Sequence, residues 1–157
     1  MTADEGYEYF AKVRPSQPVD RPSTLWRRRD GRLEYLSLLD WEWHEPDDQL
    51  LLPDPSTLEP VTAEHAAALL ADRQRFVQYW VEQNTGDRPP SVFRRRRSPE
   101  RLTDEVFGLR NRWVPTTSIR EFLSRGPDLG SDLVRADQAT AERVIDETRG
   151  VAGATEL

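Results

Sequence analysis

The stretch Asp20-Arg21-Pro22-Ser23-Thr24-Leu25-Trp26-Arg27-Arg28-Arg29 returns 67 positions later as Asp87-Arg88-Pro89-Pro90-Ser91-Val92-Phe93-Arg94-Arg95-Arg96. In both places an Asp-Arg-Pro turn leads to two adjacent apolar residues and then to a run of arginines. Working outward, Tyr9-Phe10 precedes the first block and Tyr79-Trp80 the second, an offset of 70. Trp43 and Trp113 restore that offset, and Ala-rich segments around Ala66-Leu69-Leu70 and Ala141-Val144-Ile145 close the two halves at an offset of 75. Order, spacing and residue type all recur, and the offset drifts only where loops belong. Such self-similarity is the mark of a duplicated structural unit.

Within each half the local signals are those of short strands followed by a helix. Tyr7 to Val13 alternates Tyr7, Tyr9, Ala11 and Val13 against Glu8, Phe10 and Lys12, the two-residue period of a strand. Pro15, Pro18 and Pro22 then impose an extended connection without ladder hydrogen bonds. Thr24–Arg29 and Arg32–Leu38 flank Asp30-Gly31, residues that tolerate positive φ and so predict a tight hairpin. Leu50–Leu52 reads as a further short strand. Thr62 has the hydroxyl of a helix N-cap, and the helix that it opens is expected to run from Ala63 to about Gln74.

In the second half, Phe76–Gln83 and Ser91–Arg96 are expected strands. Residues 99–109 carry conflicting signals. Ser98-Pro99-Glu100 has the form of a helix start, whereas the repeat demands a strand, and the strand is preferred. A short helix is expected after Thr117 with Gly126 as its stop. A longer one follows from Asp137 to Arg149 with Gly150 at its C-terminus.

Together these readings predict an α+β protein of two tandem copies of a small antiparallel β-sheet unit. The copies span residues 1–74 and 75–150, each closed by a C-terminal helix, with a frayed tail at 151–157. Neighbouring residues on a strand point to opposite faces, so Leu25-Trp26, Val92-Phe93, Tyr9-Phe10 and Tyr79-Trp80 give each sheet two apolar faces. One helix covers one face only. The other face is expected to meet the sister unit, making a fused pseudo-dimer and a monomer with internal pseudo-symmetry.

Composition narrows the function. At 157 residues the chain has room for one ordinary domain or two small ones. With 22 basic and 28 acidic residues the net charge is −6, which disfavours indiscriminate nucleic-acid binding. The charge is uneven: residues 1–74 hold eight basic and 15 acidic groups, residues 75–157 hold 14 and 13. The absence of cysteine removes disulfides, thiol nucleophiles and thiolate metal sites. The start MTADEGYEYF is acidic and does not read as a signal peptide, no apolar run is long enough to cross a bilayer, and a cytoplasmic location is expected.

No nucleophile elbow, zincin pair, P-loop or dinucleotide fingerprint is present, and the loop Gly126–Ser131 lacks the lysine and spacing of a phosphate cradle. His44 and His65 have no counterpart in the other half and read as surface residues. The expectation is therefore a non-catalytic interaction or regulatory module, with no cofactor and no metal, that binds another protein. Aromatic residues and arginines concentrate energy at interfaces, which nominates Trp26, Arg28, Trp41, Phe93 and Arg95 as partner-binding residues. Two rival readings follow from other residues. The run Arg94, Arg95, Arg96 and Arg97 suits phosphate oxygens and would make a nucleic-acid-binding accessory protein. The acidic segment with Glu42, Glu45, Asp47 and Asp48 around Trp41 and Trp43 would serve as an unfamiliar carboxylate enzyme site, or hold a hard cation.

Overall fold

The computed structural model describes residues 6–47, 52–108, 110–125 and 133–157. The expected strand at Leu50 and Leu51, the Gly126 helix stop, the Gly126–Ser131 loop and Asp48 lie outside the described residues. The chain is α+β, and its described residues form two similar sheet units and three α-helices. The first sheet is formed by β1 (Glu8–Lys12), β2 (Thr24–Arg29), β3 (Arg32–Leu36), β4 (Trp43–His44) and β5 (Leu58–Val61), in the order β4-β3-β2-β1-β5. The second is formed by β6 (Gln78–Glu82), β7 (Val92–Ser98), β8 (Arg101–Phe107), β9 (Trp113–Pro115) and β10 (Leu133–Ala136), in the order β10-β6-β7-β8-β9. Each is a four-strand meander whose fifth strand returns to pair with the first.

By contacts the chain divides into unit 1, Met1–Phe76 with Arg96–Leu102, and unit 2, Val77–Arg95 with Thr103–Leu157. Unit 1 thus takes in the turn between β7 and β8.

In unit 1 the β2–β3 hairpin turns at Asp30 (φ 53°) and Gly31 (φ 77°), the left-handed pair that a two-residue turn requires. Pro60 sits in β5, an edge strand, where a missing N–H costs no ladder bond on the open side. One face of the sheet carries Tyr9, Leu25 and Leu36. They share a core with Ala66 and Leu69 of α1 (Ala63–Ala71), and with Phe76. Thr62 caps α1 by accepting from the His65 amide. The helix stops three residues short of the expected Gln74, and a 3-10 turn at Arg73–Phe76 delivers the Phe76 ring into that core.

On the opposite face lie Trp26, Tyr35, Thr24 and Lys12. There Glu100 hydrogen-bonds the Tyr35 hydroxyl and accepts from Ser37 Oγ, while Ser98 Oγ accepts from the Leu38 amide at 2.6 Å. This explains why Ser98-Pro99 starts no helix: the serine hydroxyl that would cap one bonds Leu38 instead, and Arg101–Phe107 is strand.

Unit 2 covers both faces of its own sheet. Val77, Tyr79, Val92 and Phe107 pack with Ala141 and Ile145 of α3 (Gln138–Arg149). Trp80, Phe93 and Leu133, on the other face, pack with Ile119 and Phe122 of α2 (Ser118–Arg125). In unit 2 it is thus α2, and not the expected sister unit, that packs on these residues. Asp137 caps α3 through the Thr140 amide, and Gly150 ends it at φ 67°.

The expected frayed tail is a correction. Residues 154 and 155 are anchored: Trp113 Nε1 donates to the Ala154 carbonyl at 2.7 Å, and the buried Thr155 hydroxyl bonds Gln138 and Glu142. A tail of small residues, Val151 to Thr155, can lie close against a helix, which composition alone does not reveal.

Candidate functional site

The arginine blocks are placed first by their registers. In unit 1, Arg27 stands opposite both Tyr9 and Glu34, and Leu36 pairs with Trp43. Arg27 Nε donates to Glu34 at 2.8 Å, and its guanidinium lies 4.3 Å over the Trp43 ring. In unit 2, Arg94 stands opposite Tyr79, donates to Glu105 at 2.9 Å and lies 4.1 Å over Trp113. Arg95, with a side chain only 6% exposed, makes a two-pronged bond to Asp104 at 2.7 and 2.9 Å. A buried guanidinium is tolerated because its planar fork matches a carboxylate and its face matches a ring. Arg94 and Arg95 therefore serve the sheet. Arg96 donates to the Leu38 carbonyl, and Arg97 is half-buried within unit 1.

The other nominated residues are equally informative. Trp26 is fully buried beside Tyr35, and Phe93 is buried under α2. Arg28 is exposed, bonds Glu8 and covers Phe10. Trp41 is half-buried, meets the Phe76 ring at a tilt of 52°, lies under Arg73, and holds a left-handed backbone with φ 61°. Of the acidic segment, Glu42, Glu45 and Asp47 are exposed. Asp40 accepts from the Glu42 amide and meets His44 at 2.7 Å, and these bonds hold its carboxyl below the usual range. His65 Nε2 lies 3.2 Å from the Val19 carbonyl. Among the described residues no three His, Cys, Asp or Glu side chains converge as a metal site would need. No helix among them is long and apolar enough to cross a membrane.

What the structure brings together instead is a cleft of about 560 Å³ wholly within unit 2. Its floor is aliphatic, from Val106, Val114 and Pro89, and its rim carries Arg88, Arg110, Arg112 and Arg149. Val106 and Val114 are cross-strand partners of β8 and β9, so the floor is sheet. Arg110 and Arg112 project from the tight turn joining those strands, in which the Asn111 amide bonds the Gly108 carbonyl and Asn111 takes φ 54°. Asparagine reaches the left-handed region at little cost, and so keeps the turn short.

Arg88 is fixed by two bonds to Glu82, at 2.7 and 3.0 Å. That arginine, with the Ser91 amide, holds the Glu82 carboxyl below its ordinary range. Arg110, Arg112 and Arg149 have no carboxylate partner among the described residues. Sequence reasoning missed this rim because Arg110-Asn111-Arg112 has no counterpart in the first half. The signal in the sequence is the larger share of basic residues in the second half, 14 against eight.

Comparison with known proteins finds no matching family model, no matching curated protein and no matching solved structure.

Proposed function

We propose that the chain is a non-catalytic interaction module whose unit 2 cleft docks an acidic, partly apolar segment of another protein. The observation that carries this reading is the set of three arginines, Arg110, Arg112 and Arg149, placed around an aliphatic floor without carboxylates of their own among the described residues. Arginine forks take carboxylates in pairs of parallel hydrogen bonds, and a Val-Pro floor takes an aliphatic side chain between them. Because the protein as a whole is acidic, the positive field is local to the cleft, which gives orientation as well as attraction. A nucleic acid suits the cleft less well, since no aromatic ring among the described residues lines it to stack a base.

We also infer that the two units descend from one duplicated segment, with α1 and α3 as equivalent closing helices. Support comes from the shared strand order and from the matched Arg27–Glu34–Trp43 and Arg94–Glu105–Trp113 sets. On this view the cleft is a property of the second copy, acquired with the Arg110–Arg112 turn.

A direct test is fluorescence anisotropy of a labelled peptide of alternating glutamate and leucine. Binding should weaken steeply with salt, and Arg110→Glu with Arg112→Glu should reduce affinity at least tenfold without unfolding the protein. Equal affinity for wild type and the double variant would refute the reading. So would stronger capture of a single-stranded oligonucleotide than of the peptide.

A further inference from the structure

A second cluster of cations, unrelated to the unit 2 cleft, surrounds a cavity of about 330 Å³ within unit 1. Lys12, the only lysine of the chain, enters it from the end of β1, and Arg14 follows two residues later. Arg97 and Arg101 enter from the ends of β7 and β8, and Ser23, Thr24 and Ser98 complete the polar lining. Among the described residues one carboxylate, Glu100, lines the same space, but it is engaged by Ser37 and Tyr35.

Lys12, Arg14 and Arg101 thus share the cavity with one committed anion among the described residues, and the crowding of positive charge is visible at Lys12. Burial first, and then the charges of Arg14 and Arg97, hold its ammonium pKa below the ordinary lysine value, with Asp54 opposing only in part. Two donors are also left over. Arg14 Nε is buried and has no hydrogen-bond partner among the described residues. Ser98 Oγ, buried as well, accepts from the Leu38 amide, so its proton is left to donate.

Like charges gathered in a cavity are costly unless a counter-charge joins them, and buried donors are costly unless an acceptor does. One occupant satisfies both demands. We propose that the unit 1 cavity is an oxyanion site for a phosphoryl group, free or carried by a small molecule, held by Lys12 and Arg14 with the Ser98 hydroxyl. A tetrahedral dianion offers several acceptor oxygens to donors arriving from different strands, where a flat carboxylate offers two. Among the described residues the lining holds no aromatic ring, so the group recognised is the phosphoryl itself and not an attached base.

The test is titration of the intact protein with inorganic phosphate, with phosphoserine and with chloride at matched ionic strength. It is followed by the Lys12 side-chain resonances and by thermal unfolding. Phosphate is expected to bind with a Kd on the order of 1 mM or tighter. It should raise the Lys12 pKa, since an anion favours the charged ammonium, and raise the unfolding temperature. Tighter binding of phosphoserine would show that an ester is the preferred source, and equal or weaker binding that the free ion is.

Arg14→Gln should weaken phosphate about tenfold or more, the usual loss when a charged donor is removed. Lys12→Met, which relieves repulsion, should fold at least as stably as wild type yet lose the stabilisation by phosphate. Chloride matching phosphate in both readouts, or Arg14→Gln binding phosphate as wild type does, would overturn the assignment. Failure here would leave the unit 2 cleft untouched, because the two sites share no residue.

Discussion

Arg94 lies 4.1 Å over the ring of Trp113, and it holds that place while donating to Glu105 in a site where its own side chain is 9% exposed. The guanidinium is gripped on its edge by a carboxylate and on its face by an indole. Removing it as Arg94→Ala leaves Glu105 without its charged partner in a poorly solvated place. The expected cost in chemical denaturation is about 3 kcal/mol, the usual penalty for breaking a buried pair. Arg94→Lys should recover less than half of it, because an ammonium neither stacks on the indole nor donates through a planar fork. Full recovery by lysine would show that charge alone matters there.

Trp41 and Asn111 occupy the same left-handed position, just before β4 and β9, at φ 61° and φ 54°. Asparagine is suited to it and tryptophan is not, so the ring at 41 is kept by its contacts with Phe76 and Arg73. Trp41→Gly should consequently be more stable than Trp41→Ala by about 1 kcal/mol, although alanine retains more side chain. The reverse order in urea unfolding would mean that the backbone there relaxes without strain.

Burial first, and then the neighbouring Glu100 carboxylate, push the Tyr35 hydroxyl up to about 12 from an ordinary value of 10.0. A raised acid pKa favours the neutral phenol in the fold. Its stabilisation is therefore complete below pH 10 and is lost as pH rises from there towards 12. The tyrosinate absorbance of wild type minus Tyr35→Phe should show the late titration, and Glu100→Gln should move it down. An unshifted Tyr35 curve in the Glu100→Gln protein would remove Glu100 as a cause.

Thr155 is fully buried and bonds Gln138 and Glu142. Thr155→Val keeps the shape and removes the hydroxyl, and should cost about 1–2 kcal/mol for the polar groups left behind. A neutral result would show that water reaches them.

The sheet units were legible because their residues obey local rules. Asp30-Gly31 fixed a hairpin, Tyr9 and Ala11 fixed an inward face, and Thr62, Asp137 and Gly150 marked helix ends by cap chemistry. The functional surface was not legible in the same way. An arginine run looks alike whether it lies on solvent or against carboxylates, and Asp104 and Glu105 claim Arg95 and Arg94 only once β8 pairs with β7. The cleft arises from residues as distant as Arg88 and Arg149, which no local pattern joins. Lys12 and Arg97 likewise meet only through the fold.

The central functional claim rests on Arg110, Arg112 and Arg149. The most direct measurement is an NMR titration of the arginine Nε–Hε resonances with the glutamate–leucine peptide. These three signals should move together and saturate at one affinity, while those of Arg27, Arg94 and Arg95, already bonded to carboxylates, stay in place. Saturable binding that shifts the second group and leaves the first unmoved would contradict the account.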